Sequence, residues 1–423
     1  MNTQTTTLTN GLRVVTTEMP GAQSASVNIF VGTGSRYESK RLNGVSHYLE
    51  HMLFKGTQKR PEAIMISEAI EGAGGRSNAF TAHEVTCYLA KVPYERADLA
   101  MDVIADMVQH SLLAPEEVER ERKVVIEEIR RTWDHPGAWA GELAFRAAFG
   151  DQPLGWSIAG TEDSVRGLSR DDLAGYVARW YVPNNLVVSV AGNVRHQQVL
   201  DLIDQYVTDL PAQPVDSYTA AQPRVASQPV IVETRAVTQA NLVMVLRGPG
   251  RKDPKRYIFT ILSNLLGSGM SSRLFKEVRE RRGLAYSVGC GIVRFQDVGA
   301  LTASAGVSPE NVVQTTEVML GEFRKLADEP VGEVELTKAR DYSVGNFRLG
   351  LEDSMSVARW VGESLMTMGE VQDVEHVVSQ LRGVTAADLQ SLAKHLFVGN
   401  DLSVALTGPN DESSALEALA GAW

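Results

Sequence analysis

The residues best equipped for chemistry lie in one short stretch, NGVSHYLEHMLFKGT at positions 43–57. His47 and His51 stand at i and i+4, so on a helix their imidazoles share one face a turn apart and can both reach a single ion. Glu50 lies beside the pair, placed to take a proton from a water molecule at that ion. The order His-x-x-Glu-His is one of the arrangements found in hydrolytic zinc sites. With only 8 His in 423 residues, the alternative of two histidines merely satisfied in a core is the weaker reading.

A catalytic zinc site takes three protein ligands and keeps one position open. The third must come from a later element. The helix-patterned run EVERERKVVIEEIR at 117–130 offers Glu121 and Glu128. These are seven residues apart, hence on one face with Val124. Two carboxylates on an inward stripe are costly unless each pairs or binds a cation.

The chain that must position these groups repeats itself. LSRDDLAGYVARWYVPNNLVVSVAG at 168–192 aligns without a gap on VTAADLQSLAKHLFVGNDLSVALTG at 384–408. Ser169 meets Thr385, Asp172 meets Asp388, Asn184 meets Asn400, and Gly192 meets Gly408. Each pair is 216 positions apart (408 − 192). The same offset relates VNIFVGTG at 27–34 to VMVLRGPG at 243–250. A shared offset at separated places is the signature of a duplicated unit. In each copy of the longer match a Ser or Thr cap opens an amphipathic helix, and an alternating apolar strand follows.

The offset also tests the metal hypothesis. It carries His47 to Ser263, Glu50 to Leu266, His51 to Gly267, Glu121 to Thr337 and Glu128 to Val344. The whole set is missing from the second copy, as expected of one functional site in the first half rather than of scaffold residues.

We therefore expect an α+β fold of two duplicated domains, each a mainly antiparallel sheet with helices packed on one face. The first domain is expected at 1–210 and the second, without a metal site, at 230–423. The stretch 211–229, with Pro211, Pro214, Pro223 and Pro229, reads as an exposed linker. Asn10-Gly11 signals a hairpin between strands at 5–8 and 12–16. Further strands are expected at 24–31, 78–92 and 186–191, and helices at 44–54, 61–73, 96–109 and 115–131.

Composition narrows the function classes. Apolar residues make up 43% and charged residues 22%, which suits globular domains with sizeable cores. Lys and Arg total 41 against 52 Asp and Glu, a net charge of −11, which argues against a nucleic-acid protein. No apolar run approaches bilayer-spanning length. The N-terminus carries no signal-peptide pattern, so the expected location is cytoplasmic. The two cysteines, Cys87 and Cys290, form no CxxC pair and read as small core residues.

HYLEHMLFKGT at 47–57, SNAFT at 77–81 and ERERKVVIEE at 119–128 together resemble the pitrilysin (M16) family of zinc peptidases, with the mitochondrial-processing-peptidase-like members nearest in size. The resemblance spans essentially the whole chain. It implies a Zn2+ cofactor held by His47, His51 and Glu128, with Glu127 as the adjacent rival for the third place. It further implies Glu50 as general base and Glu121 behind a ligand histidine. In GSGMSSRLFKEVRERRGLAYS at 267–287 it marks Arg279 and Tyr286 as groups that reach the substrate. The Gly-rich start of that run lacks the Gly-Lys-Ser/Thr ending of a phosphate loop. Asn78, Ala79, Phe80 and Thr81 would form the strand along which an extended peptide binds.

By the same resemblance, the chain is expected to be a zinc metalloendopeptidase acting on peptides or unfolded polypeptides within a clamshell homodimer with composite active sites. The acidic positions that read a substrate Arg in processing peptidases correspond to Ala138 and Glu142, so only half of that pair remains. The competing class is a non-catalytic structural or binding subunit on the same scaffold. Such a subunit would lack metal or base residues, and here the full set stands.

Overall fold

The computed structural model describes residues 2–207, 212–223, 228–399 and 402–423. Pro211 and 224–227 of the expected linker, and Asn400 of the repeat, lie outside the described residues. Among the described residues, eleven strands form two sheets. The first holds β1 (Asn2–Thr7), β2 (Arg13–Glu18), β3 (Ser24–Val31), β4 (Arg76–Thr81), β5 (Thr86–Pro93) and β6 (Leu186–Gly192), in the order β1-β2-β6-β3-β5-β4. The second holds β7 (Val230–Thr234), β8 (Ala240–Gly248), β9 (Ala285–Arg294), β10 (Gly299–Val307) and β11 (Leu402–Gly408), in the order β7-β11-β8-β10-β9.

The second order is the first with β1 removed. Even the single parallel pairing recurs in the same place, β2 with β6 and β7 with β11, while every other pairing is antiparallel. The duplication read from the 216 offset is therefore a duplication of topology. The local start signals repeat as well: Ser169 with Asp172 and Thr385 with Asp388 each form a reciprocal capping box.

The chain divides into two compact units that are not contiguous halves. Unit 1 comprises Met1–Ile129, Ser157–Thr219 and Arg348–Gln372; unit 2 comprises Arg130–Trp156, Ala220–Phe347 and Asp373–Trp423. Relative to the expected spans 1–210 and 230–423, each sheet receives one helix from the other half of the chain. In unit 1 the helix Ser354–Met368 packs on β3 and β6; in unit 2 the helix Pro136–Phe149 packs on β8 and β11.

The main helical layer of unit 1 lies on the opposite face of its sheet. There Val27, Ile29, Tyr88 and Val188 meet Tyr48, Leu49 and Ile104 in one apolar cluster. Unit 2 has a corresponding cluster of Leu242, Leu301, Phe259 and Phe323. Beneath its received helix, Ala140, Ala144 and Phe149 close over Val243, Val245, Ala300 and Ala405.

The strand expected at 78–92 is two strands joined by a turn at 82–85. No glycine, proline or asparagine marks that turn, because distant groups hold it. Ser35 and Arg36 donate backbone N–H groups to Ala82 and His83, and the fully buried Arg36 pairs with Glu84 at 2.6 Å. The break makes β4 the last strand of its sheet. Residues 212–223 form neither helix nor strand, but they are pinned rather than loose. The Arg36 guanidinium donates to the carbonyl of Thr219 at 3.0 Å and lies 4.1 Å over the Tyr218 ring. No helix among the described residues is long and apolar enough to cross a membrane.

Candidate metal centre

The helix Val45–Met52 carries both histidines and Glu50. Its apolar residues Val45, Tyr48, Leu49 and Met52 are buried in the unit 1 core, which turns the histidine face toward the helix Pro115–Asp134. Its N-terminus has no capping side chain of its own, since Gly44 stands at that position. Glu38 supplies the cap from six residues back, accepting the N–H groups of Gly44 at 2.8 Å and Ser46 at 2.9 Å. Tyr48 ties the two helices together by donating its hydroxyl to the carbonyl of Val118.

On the facing helix the inward stripe is Val118, Glu121 and Val125, all buried. Val124, expected on that stripe, is 42% exposed, because 3.6 residues per turn carry it round to the flank. Glu121 accepts from Nδ1 of His51 at 2.9 Å, and its second oxygen meets the Lys55 ammonium at 2.7 Å. Glu128, two turns on, places Oε2 at 3.5 Å from Nε2 of His47 and 3.3 Å from Nε2 of His51. Among the described residues, His47, His51 and Glu128 are the group of His, Cys, Asp or Glu able to hold a metal ion, their ligand atoms all within 4.8 Å of one another. Glu127 is not part of that group.

These spacings fit a zinc ion. Tetrahedral coordination at about 2.0–2.1 Å separates neighbouring ligand atoms by about 3.3–3.4 Å. Two imidazole nitrogens and one carboxylate oxygen also match the ion's ligand preference. The two histidines are supported unequally. Glu121 fixes the ring of His51, whereas Nδ1 of His47 is buried with no hydrogen-bond partner among the described residues.

The electrostatics follow from the same contacts. Burial lowers the pKa of His47 to about 4, helped by the neighbouring His51. Burial works in the same direction on His51, but its bonds to Glu121 and Glu128 outweigh it and carry that imidazole up to about 9. Glu128 is held below the usual carboxylate range by its bond to His51. Glu121 is also low despite its burial, because His51 and Lys55 favour its charge. The acids of this cluster thus demand a positive charge at their centre, as a metal-binding group should. Glu50 is different: burial raises its carboxyl, against the bond that the Thr81 hydroxyl donates to its Oε2 at 2.6 Å.

The structure therefore brings His47, Glu50, His51, Glu121, Glu128 and Thr81 together in unit 1. Asn78, Ala79 and Phe80 precede Thr81 on β4, the terminal strand of the first sheet. Arg279 and Tyr286 lie in unit 2, close to each other. The Arg279 guanidinium is 5.4 Å from the Tyr286 ring and 4.8 Å from that of Phe275. Tyr286 is 77% exposed on β9, the terminal strand of the second sheet.

At the duplicated positions in unit 2 there is no such ligand set among the described residues. Leu266 is buried, and Gly267 replaces His51 at a point where even a Cβ atom would lie 2.0 Å from the backbone nitrogen of Cys290. Sequence reasoning missed Lys55 and Glu38. Lys55 stands four residues after His51, a spacing that could have pointed to it; Glu38 reaches the helix through a loop and leaves no local signal.

Comparison with known proteins agrees with this division of labour. Residues 13–162 match the family described as insulinase (peptidase family M16), and residues 167–342 match the peptidase M16 inactive domain. The chain is 38% identical over 416 residues to an uncharacterized zinc protease of Streptomyces coelicolor, covering 97% of this chain and 90% of that protein. It is 37% identical over 410 residues to an uncharacterized zinc protease of Mycobacterium leprae, covering 96% and 91%. Its fold is that of a protease from Helicobacter pylori, with a TM-score of 0.89 at 24% identity over 96% of this chain and 99% of the other. With a candidate metal-ligand cluster that, among the described residues, stands in one copy of a duplicated fold, the chain belongs to peptidase family M16.

Proposed function

We propose that this protein is a zinc metalloendopeptidase that hydrolyses peptides or unfolded polypeptides, with His47, His51 and Glu128 as the ligands. The observation that carries the reading is the position of Glu50. Its carboxyl is raised by burial, bonded by the Thr81 hydroxyl, and stands three residues after His47 and next to His51, whose imidazoles converge on Glu128. A bound zinc ion supplies Lewis acidity, making water more acidic and polarising a peptide carbonyl. Glu50 takes the proton of the attacking water and later delivers it to the leaving amine. Glu121 keeps the His51 ring in the tautomer that turns Nε2 toward Glu128.

The peptide lies along the outer edge of β4, where backbone pairing holds an extended chain without reading every side chain. Arg279 and Tyr286 contribute donors to the substrate carbonyl as charge develops on it. We further read the working form as a homodimer in which those two residues are supplied by a partner copy. The decisive experiment is metal analysis of the purified protein, together with hydrolysis of an internally quenched peptide by wild type and Glu50→Gln. Zinc near one per chain in both, with cleavage lost by at least about a thousandfold in the variant, is the expected result. A Glu50→Gln protein that cleaves at the wild-type rate overturns the assignment.

A further inference from the structure

Every strand presents two faces, and on β4 they differ sharply. Ala79 points into the apolar core, and the Thr81 hydroxyl reaches Glu50 on the same side. Phe80, between them, points the other way. Its ring stands edge-on to Phe30 with centroids 6.4 Å apart. Above it, at 4.3 Å from the centroid, lies the guanidinium of Arg359. Arg359 belongs to Ser354–Met368, the helix that covers this face of the unit 1 sheet.

Arg359 is exposed, and among the described residues its guanidinium has no hydrogen-bond or ion-pair partner. Stacking on an aromatic ring occupies the flat face of a guanidinium and leaves its N–H fork at the rim available for a carboxylate. Glu363, one turn further along the same helix, has partners of its own.

Among the described residues, β4 has a strand neighbour on one side only. A peptide adding to its open edge pairs residue by residue, and directly opposed residues place their side chains on the same face. The peptide residue opposite Phe80 therefore presents its side chain beside Arg359, while residues opposite Ala79 and Thr81 turn toward the Glu50 side. We propose that Arg359 selects an acidic side chain at the substrate position that pairs with Phe80.

This inference rests on the reading that β4 receives the peptide. It also makes a distinction that overall charge does not. A protein of net charge −11 attracts cationic peptides at every position alike, whereas Arg359 favours an acid at one position only.

The test uses full-length, zinc-supplemented Glu50→Gln protein, which binds without turnover, and fluorescein-labelled nine-residue peptides of Ala, Ser and Gln. Glu, Gln or Lys is placed at each position in turn, and Kd is read by fluorescence anisotropy. At one position Glu binds about tenfold tighter than Lys. A second substitution, Arg359→Gln, brings that ratio close to one, Arg359→Lys retains its direction, and Arg359→Glu reverses it. If the reversal variant fails to fold, the Gln and Lys variants carry the comparison. A ratio indifferent to residue 359, or no peptide binding at all, overturns the inference. The same peptides given to protein with Glu50 intact separate the two levels. Cleavage with charge ratios indifferent to residue 359 overturns the role of Arg359 and leaves the peptidase reading standing. Binding that depends on residue 359 without cleavage does the reverse.

Discussion

Nδ1 of His51 and Oε1 of Glu121 lie 2.9 Å apart, and the carboxylate is 5% exposed. The bond fixes which imidazole nitrogen faces Glu128, and Lys55 on the second oxygen keeps Glu121 ionised. Replacing Glu121 by Gln preserves the shape but removes the charge. We expect zinc affinity to fall by about 10- to 100-fold, with activity restored by excess zinc. Competition against a chelator of known affinity measures the change; an unaltered zinc Kd would leave Glu121 with a packing role only.

The homodimer reading makes a complementation prediction. Glu50→Gln chains retain Arg279 and Tyr286, and Tyr286→Phe chains retain the metal centre. Mixed and allowed to exchange, two inactive pools should regain up to about a quarter of wild-type activity, since half the dimers are mixed and each mixed dimer holds one complete site. Differently tagged chains confirm that mixed dimers have formed. Dimers formed without recovered cleavage would show that each chain completes its own site.

His83 gives stability a pH dependence of its own. Burial, with the nearby Arg36 charge, lowers its pKa from an ordinary 6.5 to about 4, and Nδ1 lies 2.8 Å from the Ser35 hydroxyl. The unfolded chain therefore binds the extra proton first. The stabilisation is complete above about pH 6.5 and is lost as pH falls toward about 4, by an amount on the order of 1–3 kcal/mol. Urea unfolding of wild type and His83→Gln at pH 7.5 and pH 4.5 should show a smaller acid penalty in the variant. Equal penalties would place the acid sensitivity elsewhere.

Gly362 sits where the helix Ser354–Met368 crosses the unit 1 sheet. An added Cβ would lie 2.3 Å from the Phe30 ring and 2.7 Å from Cβ of Ser189. The fully buried ring has little room to move. Gly362→Ala should destabilise the protein by about 1–3 kcal/mol through overpacking, read as a lowered melting temperature by circular dichroism. A melting temperature equal to wild type would mean that the helix lifts from the sheet at no cost.

How far the sequence carried this picture depended on the range of each interaction. His47, Glu50 and His51 were readable because their spacing is a property of one helix, and Glu128 because a sevenfold step from Glu121 stays on one face. The duplication was readable because both copies kept their caps and alternating strands. The turn at 82–85 was hidden, since Arg36, 48 residues before Glu84, and the Ser35 backbone hold it from far along the chain. The exchanged helices were hidden for a related reason. The apolar stripes of 136–149 and 354–368 reveal that each is buried, but amphipathicity does not name the sheet that buries it. Glu38, capping the histidine-bearing helix across a loop, left no trace in local pattern at all.

The exchange of helices sets a schedule for biosynthesis. Phe30 and Ser189 on the unit 1 sheet wait for a cover that is encoded more than 150 residues after β6 ends. A ribosome must therefore deliver most of the polypeptide before the first lobe can close, and an early stop codon in the second half would leave that lobe sticky and open to chaperones or degradation.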